Sequence, residues 1–475
     1  MSGSVVLLGV VIGLSFASSA CRELVSSPKL GTDQQDPTIY DNPAGAVEQA
    51  RGALTAFRLA YDGRFSMTDE TLRSGDGTDG TSDAVRADVR DFALTVDASA
   101  LHRARLSANL AQAALAKFAA KTPASLRAEV LAVQGYTELV LADQFCSGVP
   151  LSTVDFEGNF TFDAGHSTLE LYRHAASLFA AAAPLATAHD SIETFVRVGW
   201  GRALLGQGLF DSAAHVVAAV PTAGVYRIHR DSPFPATPYS LGDREGANGL
   251  PYVSSYDPRI VVQPVTIFQY SNYGVLIATR SGSVLVSDAA SDSIVVSVAS
   301  GVEARLIEAE AALQTALATG APSDVAAWLT PLNTLRTTGS WTDTVSVFRQ
   351  DSVDANPDGT PIYASTFIRL DTLWTPGTGG VGRLGPLSDP GAGLTGAAAT
   401  KARVDLMFYE RAFWLFLSGQ RQGDMRRLIR QYGRTADQVY PKGIRYFGGV
   451  YGTAVNVMIR EDGNPLFGGC LDRKA

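Results

Sequence analysis

Two stretches of carboxylates have the spacing of cation ligands. Asp76, Asp79 and Asp83 stand in a Gly-rich run, and Asp354, Asn356, Asp358 and Gly359 spell D-x-N-x-D-G, the front half of a calcium loop. The twelfth position of such a loop falls on Ser365, where a bidentate Glu is needed. Solvated turns are therefore the better reading, and calcium the lesser one. Other carboxylates are plentiful, and any two held ~5–9 Å apart would do glycosidase chemistry, but no spacing singles out a pair. Gly380, Gly382 and Gly385 spell GxGxxG, yet no strand precedes them and Pro386 and Pro390 follow where a phosphate-binding helix must start. No P-loop, HExxH or GxSxG is present, and the six histidines are scattered. The residues name no catalytic group and no metal site.

Three other groups carry information. Glu410 and Arg411 precede Gly419, Arg421, Asp424, Arg426 and Arg427, beside Phe413, Trp414 and Phe416. Charge this dense among aromatics points to ion pairs that lock two helices across a sharp turn, with an anion site as the alternative. Tyr239, Tyr252, Tyr256, Phe268, Tyr270, Tyr273, Trp341 and Trp374 fall in stretches poor in periodic pattern. Flat aromatic faces stack on sugar rings or peptide side chains at small entropic cost, so this set is the candidate recognition surface; plugging of loops is the bland alternative. Cys21, Cys146 and Cys470 are the only cysteines. In an exported chain the last two suggest one disulfide, against two buried free thiols.

The elements that must position these groups are mostly helical. Asn42-Pro43 offers an N-cap followed by Pro at the first helical position, and Ala46, Ala50, Ala53, Leu54, Phe57 and Tyr61 follow at helical spacing. Helices are expected over His102–Phe118, from Pro123 through Val140, over Ser167–Ala188, Ile192–Leu205, Glu303–Leu317, Asp324–Leu335 and Arg403–Leu417, the last closed by Gly419, with another starting near Gln422. Gly201, Gly208, Phe210 and Ala213 reproduce the tetratricopeptide spacing, in which small residues let two helices approach and an aromatic plugs the gap. The portions 61–100, 227–300 and 340–400 read as loop-rich, with short strands at Ser283–Ser287 and Ser293–Val298. Loops this long in a compact domain are usually functional.

The N-terminus bears on location. Val5–Ala17 is apolar, too short for a permanent span, and ends in small residues before Cys21. This is a secretory signal over 1–20 with a lipoprotein cysteine at its cut, where acyl chains such as palmitate would anchor the protein. No Lys or Arg precedes the run and Ser18 replaces the usual Leu, so plain secretion is the alternative. Residues 21–41 then form a flexible tether and 42–475 a single domain. With 46% apolar residues, 18% charged residues and net charge −8, the chain is globular and lacks the basic face that nucleic acid requires.

Several ordered stretches resemble the SusD/RagB family of outer-membrane nutrient-binding lipoproteins. They are Cys21 after the signal, Thr68-Asp69-Glu70, Gly148-Val149-Pro150-Leu151, Asp257-Pro258-Arg259, Glu303–Glu310, Leu332-Asn333-x-x-Arg336, and Glu410-Arg411 with Gly419, Arg421, Asp424, Arg426 and Arg427. The resemblance implies a mostly α fold of tetratricopeptide-like helix pairs with a loop-rich, ligand-bearing half. It implies a cell-surface, outer-membrane location, an oligosaccharide or peptide ligand, a TonB-dependent SusC-like transporter as partner, and no catalysis. The rival readings are a surface glycosidase and a helical-repeat scaffold for other proteins.

Overall fold

The structure is a computed structural model. It describes residues 41–61, 70, 72–73, 92–187, 190–232, 239–240, 248–252, 257, 259–266, 273–279, 284–287, 292–337, 346–355, 361–369, 384–443, 452–457 and 464–475. Asn42 accepts a hydrogen bond from the Gly45 amide at 2.9 Å, and Pro43 takes the first helical position, so α1 (Pro43–Ala60) starts where the sequence signals it. The helices that follow are α2 (Phe92–Lys117), α3 (Ala124–Gln144), α4 (Thr168–Ala182), α5 (Asp190–Gly206) and α6 (Phe210–Val217). After the strands come α7 (Gly301–Thr319), α8 (Pro322–Thr337), α9 (Gly396–Trp414), α10 (Arg421–Tyr432) and the short α11 (Ala436–Val439). From α1 to α8 each helix packs on the next, which is the succession a helical-repeat architecture requires. The fold is mostly α. Among the described residues no helix is long and apolar enough to cross a membrane.

Local chemistry explains the helix boundaries. Ser167 and Glu170 form a reciprocal capping box that opens α4, and Ser300 caps α7 by accepting from the Glu303 amide at 3.2 Å. Gly320 at φ 65° closes α7, a left-handed turn that glycine enters without strain. Phe179 of α4 inserts between Gly135 of α3 and Gly199 of α5. A Cβ on Gly199 would lie 2.4 Å from the Phe179 ring, so only glycine admits this approach. Gly201 faces Val217 and Ile307 at similarly short range, Gly208 makes the turn at φ 77°, and Ala213 is fully buried. Phe210 turns its ring edge towards Tyr432 of α10, 6.4 Å between centroids.

Two apolar cores result. The larger joins α1–α6 to residues of a sheet, among them Tyr226, Ile228, Val296 and Val298, with Phe195 stacked on Tyr226 at 3.9 Å. The smaller fills the space between α7, α8, α9 and α10 around Trp328 and Trp414, both fully buried.

Four expectations need correction. The portion 227–300 holds more strand than expected: besides β8 (Val284–Ser287) and β9 (Asp292–Ser300), which match the expected short strands, its described residues include β4 (Val225–Ser232), β6 (Ile260–Thr266) and β7 (Tyr273–Thr279), and the five form one antiparallel sheet in the order β4-β9-β8-β7-β6. The pairing of β4 with β9, which begins with Val225 opposite Ser300, joins distant residues, and such contacts leave no local periodicity to read. Pro264 is accommodated because β6 is an edge. The portion 340–400 contains an antiparallel pair, β10 (Ser346–Ala355) with β11 (Pro361–Arg369), and α9 begins at Gly396. The portion 61–100 gives way to α2 at Phe92. Finally, α9 ends at Trp414 rather than Leu417. Leu417 adopts φ 58°, and Gly419, at φ 82°, belongs to the turn before α10.

Candidate functional site

The last turn of α9 presents Glu410 to two arginines that arrive from remote parts of the chain. Glu410 is 1% exposed. Its Oε2 accepts from Arg259 Nη1 at 2.8 Å and from Trp414 Nε1 at 3.2 Å, and its Oε1 accepts from Arg336 Nη1 at 2.7 Å. Asp257 grips the other side of Arg259 with both oxygens, at 2.8 and 2.7 Å. Burial alone would raise the Asp257 carboxyl, but the hydrogen bonds and charge of Arg259 hold it below the usual range. Burial likewise opposes the charge on Arg259, and Asp257 and Glu410 overcome it, keeping the guanidinium protonated. That guanidinium lies over Phe413, 5.0 Å from the ring centroid, and near Tyr409 at 5.9 Å.

This cluster roots three loop-rich segments. The first returns to α9 through Glu70, whose buried carboxylate accepts from the amide of the left-handed Leu417 at 2.9 Å. Its short β1 (Leu72–Arg73) pairs with β5 (Tyr239–Ser240), joining it to the second segment. The second is pinned by Asn248, which donates to the Asp437 and Tyr440 carbonyls, by Tyr252, and by Arg259. The third leaves α8 at Arg336, which also donates to Gly385 O at 2.7 Å; Asn333 ties Leu387 through its amide and carbonyl. Asp257, Arg336 and Glu410, each from a different resemblance-bearing stretch, thus meet at one place.

The expected recognition residues distribute unevenly. Tyr252 is 2% exposed and packs its ring, tilted, against Phe413 and Phe416 at 5.1 and 4.7 Å, so it belongs to the core and offers no face to a ligand. Tyr239 lies on β5 and Tyr273 on β7. Tyr256, Phe268, Tyr270, Trp341 and Trp374 lie outside the described residues, as do Cys21, the carboxylates of 76–83 and positions 356–359 of the calcium-like run. Sequence reasoning missed Tyr409. It is half-buried at the cluster, 4.5 Å from Phe413, and its hydroxyl is pushed up by burial and by Asp257. Its one signal was its place beside Glu410-Arg411. Phe160 and Phe162 were also missed; their nearly parallel rings, 6.0 Å apart, are 61% and 41% exposed beside the turn between β2 (Thr153–Val154) and β3 (Phe160–Thr161).

A second ionic set stiffens the frame. Arg411 and Asp424 form a two-pronged pair across the α9–α10 turn at 2.8 and 2.9 Å. Arg427 bridges Asp424 to Glu310 of α7, and Arg202 of α5 pairs with Glu303. Burial pushes Asp424 up, but Arg411 and Arg427 bring it below its ordinary value. Arg426 donates to the carbonyls of Ala142, Asp143 and Phe145, which end α3. Arg421 is buried at the start of α10. Cys146 and Cys470 form a disulfide, with Cα atoms 5.7 Å apart. The carboxylates of Glu303, Glu310, Glu410 and Asp424 are thus all engaged with arginines. Among the described residues no group of His, Cys, Asp and Glu is placed to hold a metal ion.

No family model matches this chain, and no curated protein matches it in sequence. Solved structures do match in shape. Surface glycan-binding protein A from Bacteroides uniformis superposes with a TM-score of 0.54 at 14% identity, over 89% of this chain and 99% of its own. A SusD superfamily protein from Bacteroides vulgatus gives 0.53 at 12%, over 91% and 99%. A SusD homolog from Bacteroides thetaiotaomicron gives 0.51 at 10%, over 85% and 90%. The helix succession, the sheet inserted before α7 and the overlap along nearly the whole chain lead to one statement: this protein has the SusD-like fold.

Proposed function

We propose that the protein binds oligosaccharide at its cell surface and passes it, unaltered, to a TonB-dependent SusC-like transporter in the outer membrane. The observation that carries this reading is the common root of three loop-rich segments on the end of α9. The ionic floor there anchors the segments whose sequences carry Tyr239, Tyr256, Trp341 and Trp374, and Tyr409 lies at that floor. Rigid elements under variable loops suit recognition. The leader ending at Cys21 and the glycan-binding neighbour of the same fold support the location and the ligand class. The engagement of the buried carboxylates with arginines favours binding over glycosidase chemistry.

The test is titration calorimetry of the full chain against a panel of soluble glycans and peptides, with reducing-end assays in parallel. At least one glycan binds, no new reducing ends appear, and Tyr409→Ala together with Trp341→Ala and Trp374→Ala weakens binding at least tenfold. Undiminished binding by that triple variant, binding of peptides alone, or release of reducing ends overturns the proposal.

A further inference from the structure

Glu138 of α3 is fully buried, at 0% exposure. A carboxylate taken that far from water needs a counter-charge or a proton. Its Oε1 accepts from Gln134 Nε2 at 2.8 Å, and Gln134 Oε1 accepts in turn from Gln112 Nε2 of α2 at 2.7 Å. Those amides are neutral. The charge facing Glu138 comes from α4, where His174 Nδ1 meets Oε2. Among the described residues, His174 is the one cationic side chain paired with Glu138. Glu303, Glu310, Glu410 and Asp424 are paired with arginines, which keep their charge throughout the working pH range. Glu138 depends instead on a group that titrates near neutrality.

The His174 side chain is 46% exposed, so solvent protons reach it. Its hydrogen bond to Glu138 raises its pKa above the ordinary histidine value. Burial and Arg105 of α2 oppose the rise, while the charges of Glu138 and Asp163 add to it. His102, also on α2, is pulled down to about 3 by burial and stays neutral. A histidine whose folded pKa lies above its unfolded value, ~6.5, stabilises fully below that value. Its contribution is lost as pH rises through the folded pKa. Nδ1–H can still donate once the Nε2 proton leaves, but the buried carboxylate then has no positive partner.

We propose that His174 and Glu138 form a pH-sensitive clamp between α4 and α3: the imidazolium holds it closed, and loss of its proton loosens α4. The clamp is separate from the loop-bearing end of α9, and its failure would leave the function proposed above untouched.

The experiment follows the full chain from about pH 6 to about pH 9, a range that brackets histidine titration. Histidine-labelled NMR gives the His174 titration, its signal assigned by loss in His174→Gln. Urea unfolding and hydrogen exchange, corrected for the intrinsic rate, give the stability of the whole chain and of α4. In the folded parent His174 titrates at higher pH than in the urea-unfolded chain, and Glu138→Gln brings it down. The parent unfolds at higher urea than His174→Gln at the acidic end, and the difference shrinks as pH rises. Over the same range the protection of α4 amides falls at least threefold in the parent and not in His174→Gln. Because the first readout uses Glu138→Gln and the others His174→Gln, the result does not depend on one variant's folding. A His174 titration that is the same folded and unfolded, or unmoved by Glu138→Gln, overturns the proposal. So does a difference in urea midpoint or α4 protection that stays constant with pH.

Discussion

Glu410 illustrates how a single side chain holds distant segments together. It is buried between Arg259 and Arg336, which lie 151 and 74 residues away along the chain. Two charges taken from water repay their desolvation only when the geometry is tight and the remaining hydrogen bonds are made. Asp257 and Trp414 complete that geometry here. Removing one partner is far worse than never having had the pair, because Arg336 and the buried Arg259, 1% exposed, would keep their charges with only Asp257 left in the cluster to balance them. Glu410→Ala is expected to destabilise the fold by about 3–5 kcal/mol, read as a lower midpoint in denaturant unfolding. A change under ~1 kcal/mol would mean that the cluster is exposed enough for water to replace the carboxylate. Charge density with aromatics marked Glu410, Arg411, Asp424 and Arg427 as ion-paired, but the partners Arg259, Arg336 and Glu310 had to come from the fold.

At the scale of elements, the helix pairs depend on close approach. Phe179 fills the space that two glycines leave on α3 and α5, and it meets Tyr136 edge-on at 5.2 Å. Gly199→Ala puts a methyl group 2.4 Å from that ring and 2.8 Å from Tyr136. Overpacking of this kind costs about 1–3 kcal/mol, measured as a shift in the thermal or denaturant midpoint, and Phe179→Leu in the same background should recover part of it. If Gly199→Ala alone is neutral, α3, α4 and α5 are not packed as described. The helices were legible because apolar residues recur every three or four positions and because Asn42-Pro43 and Ser167 with Glu170 mark starts. The sheet was not. Only the β8 and β9 stretches stood out by alternation, while β6 and β7 sit among residues 227–283 that are rich in Gly, Pro and Tyr.

Across the whole molecule, the Cys146–Cys470 bridge fastens the C-terminal segment to the end of α3. The Leu471 amide donates to the Ser147 carbonyl at 2.8 Å beside it, so the two stretches are also joined through the backbone. The cross-link spans 324 residues, and chain entropy sets its stabilisation at about 6 kcal/mol as an upper estimate. Reduction, or Cys146→Ser with Cys470→Ser, should lower stability by about 2–5 kcal/mol, seen as a denaturation midpoint that depends on reductant in the parent and not in the double variant. An identical midpoint with and without reductant would show that the tail is held by its hydrogen bonds alone.

What the sequence determined by itself is what local physics encodes. Periodicity and caps placed the helices, composition argued against a nucleic-acid binder, and Cys146 and Cys470 offered an intramolecular bridge. The ordered stretches pointed to a SusD-like fold. What only the tertiary structure decided is which distant groups meet. Tyr252 has the aromatic character of a ligand platform, yet it packs against Phe413 and Phe416, while Tyr409 stands at the rooted end of α9. The convergence of Asp257, Arg336 and Glu410 is of the same kind. Burial and pairing are properties of three-dimensional neighbours, and no pattern along a single chain specifies them.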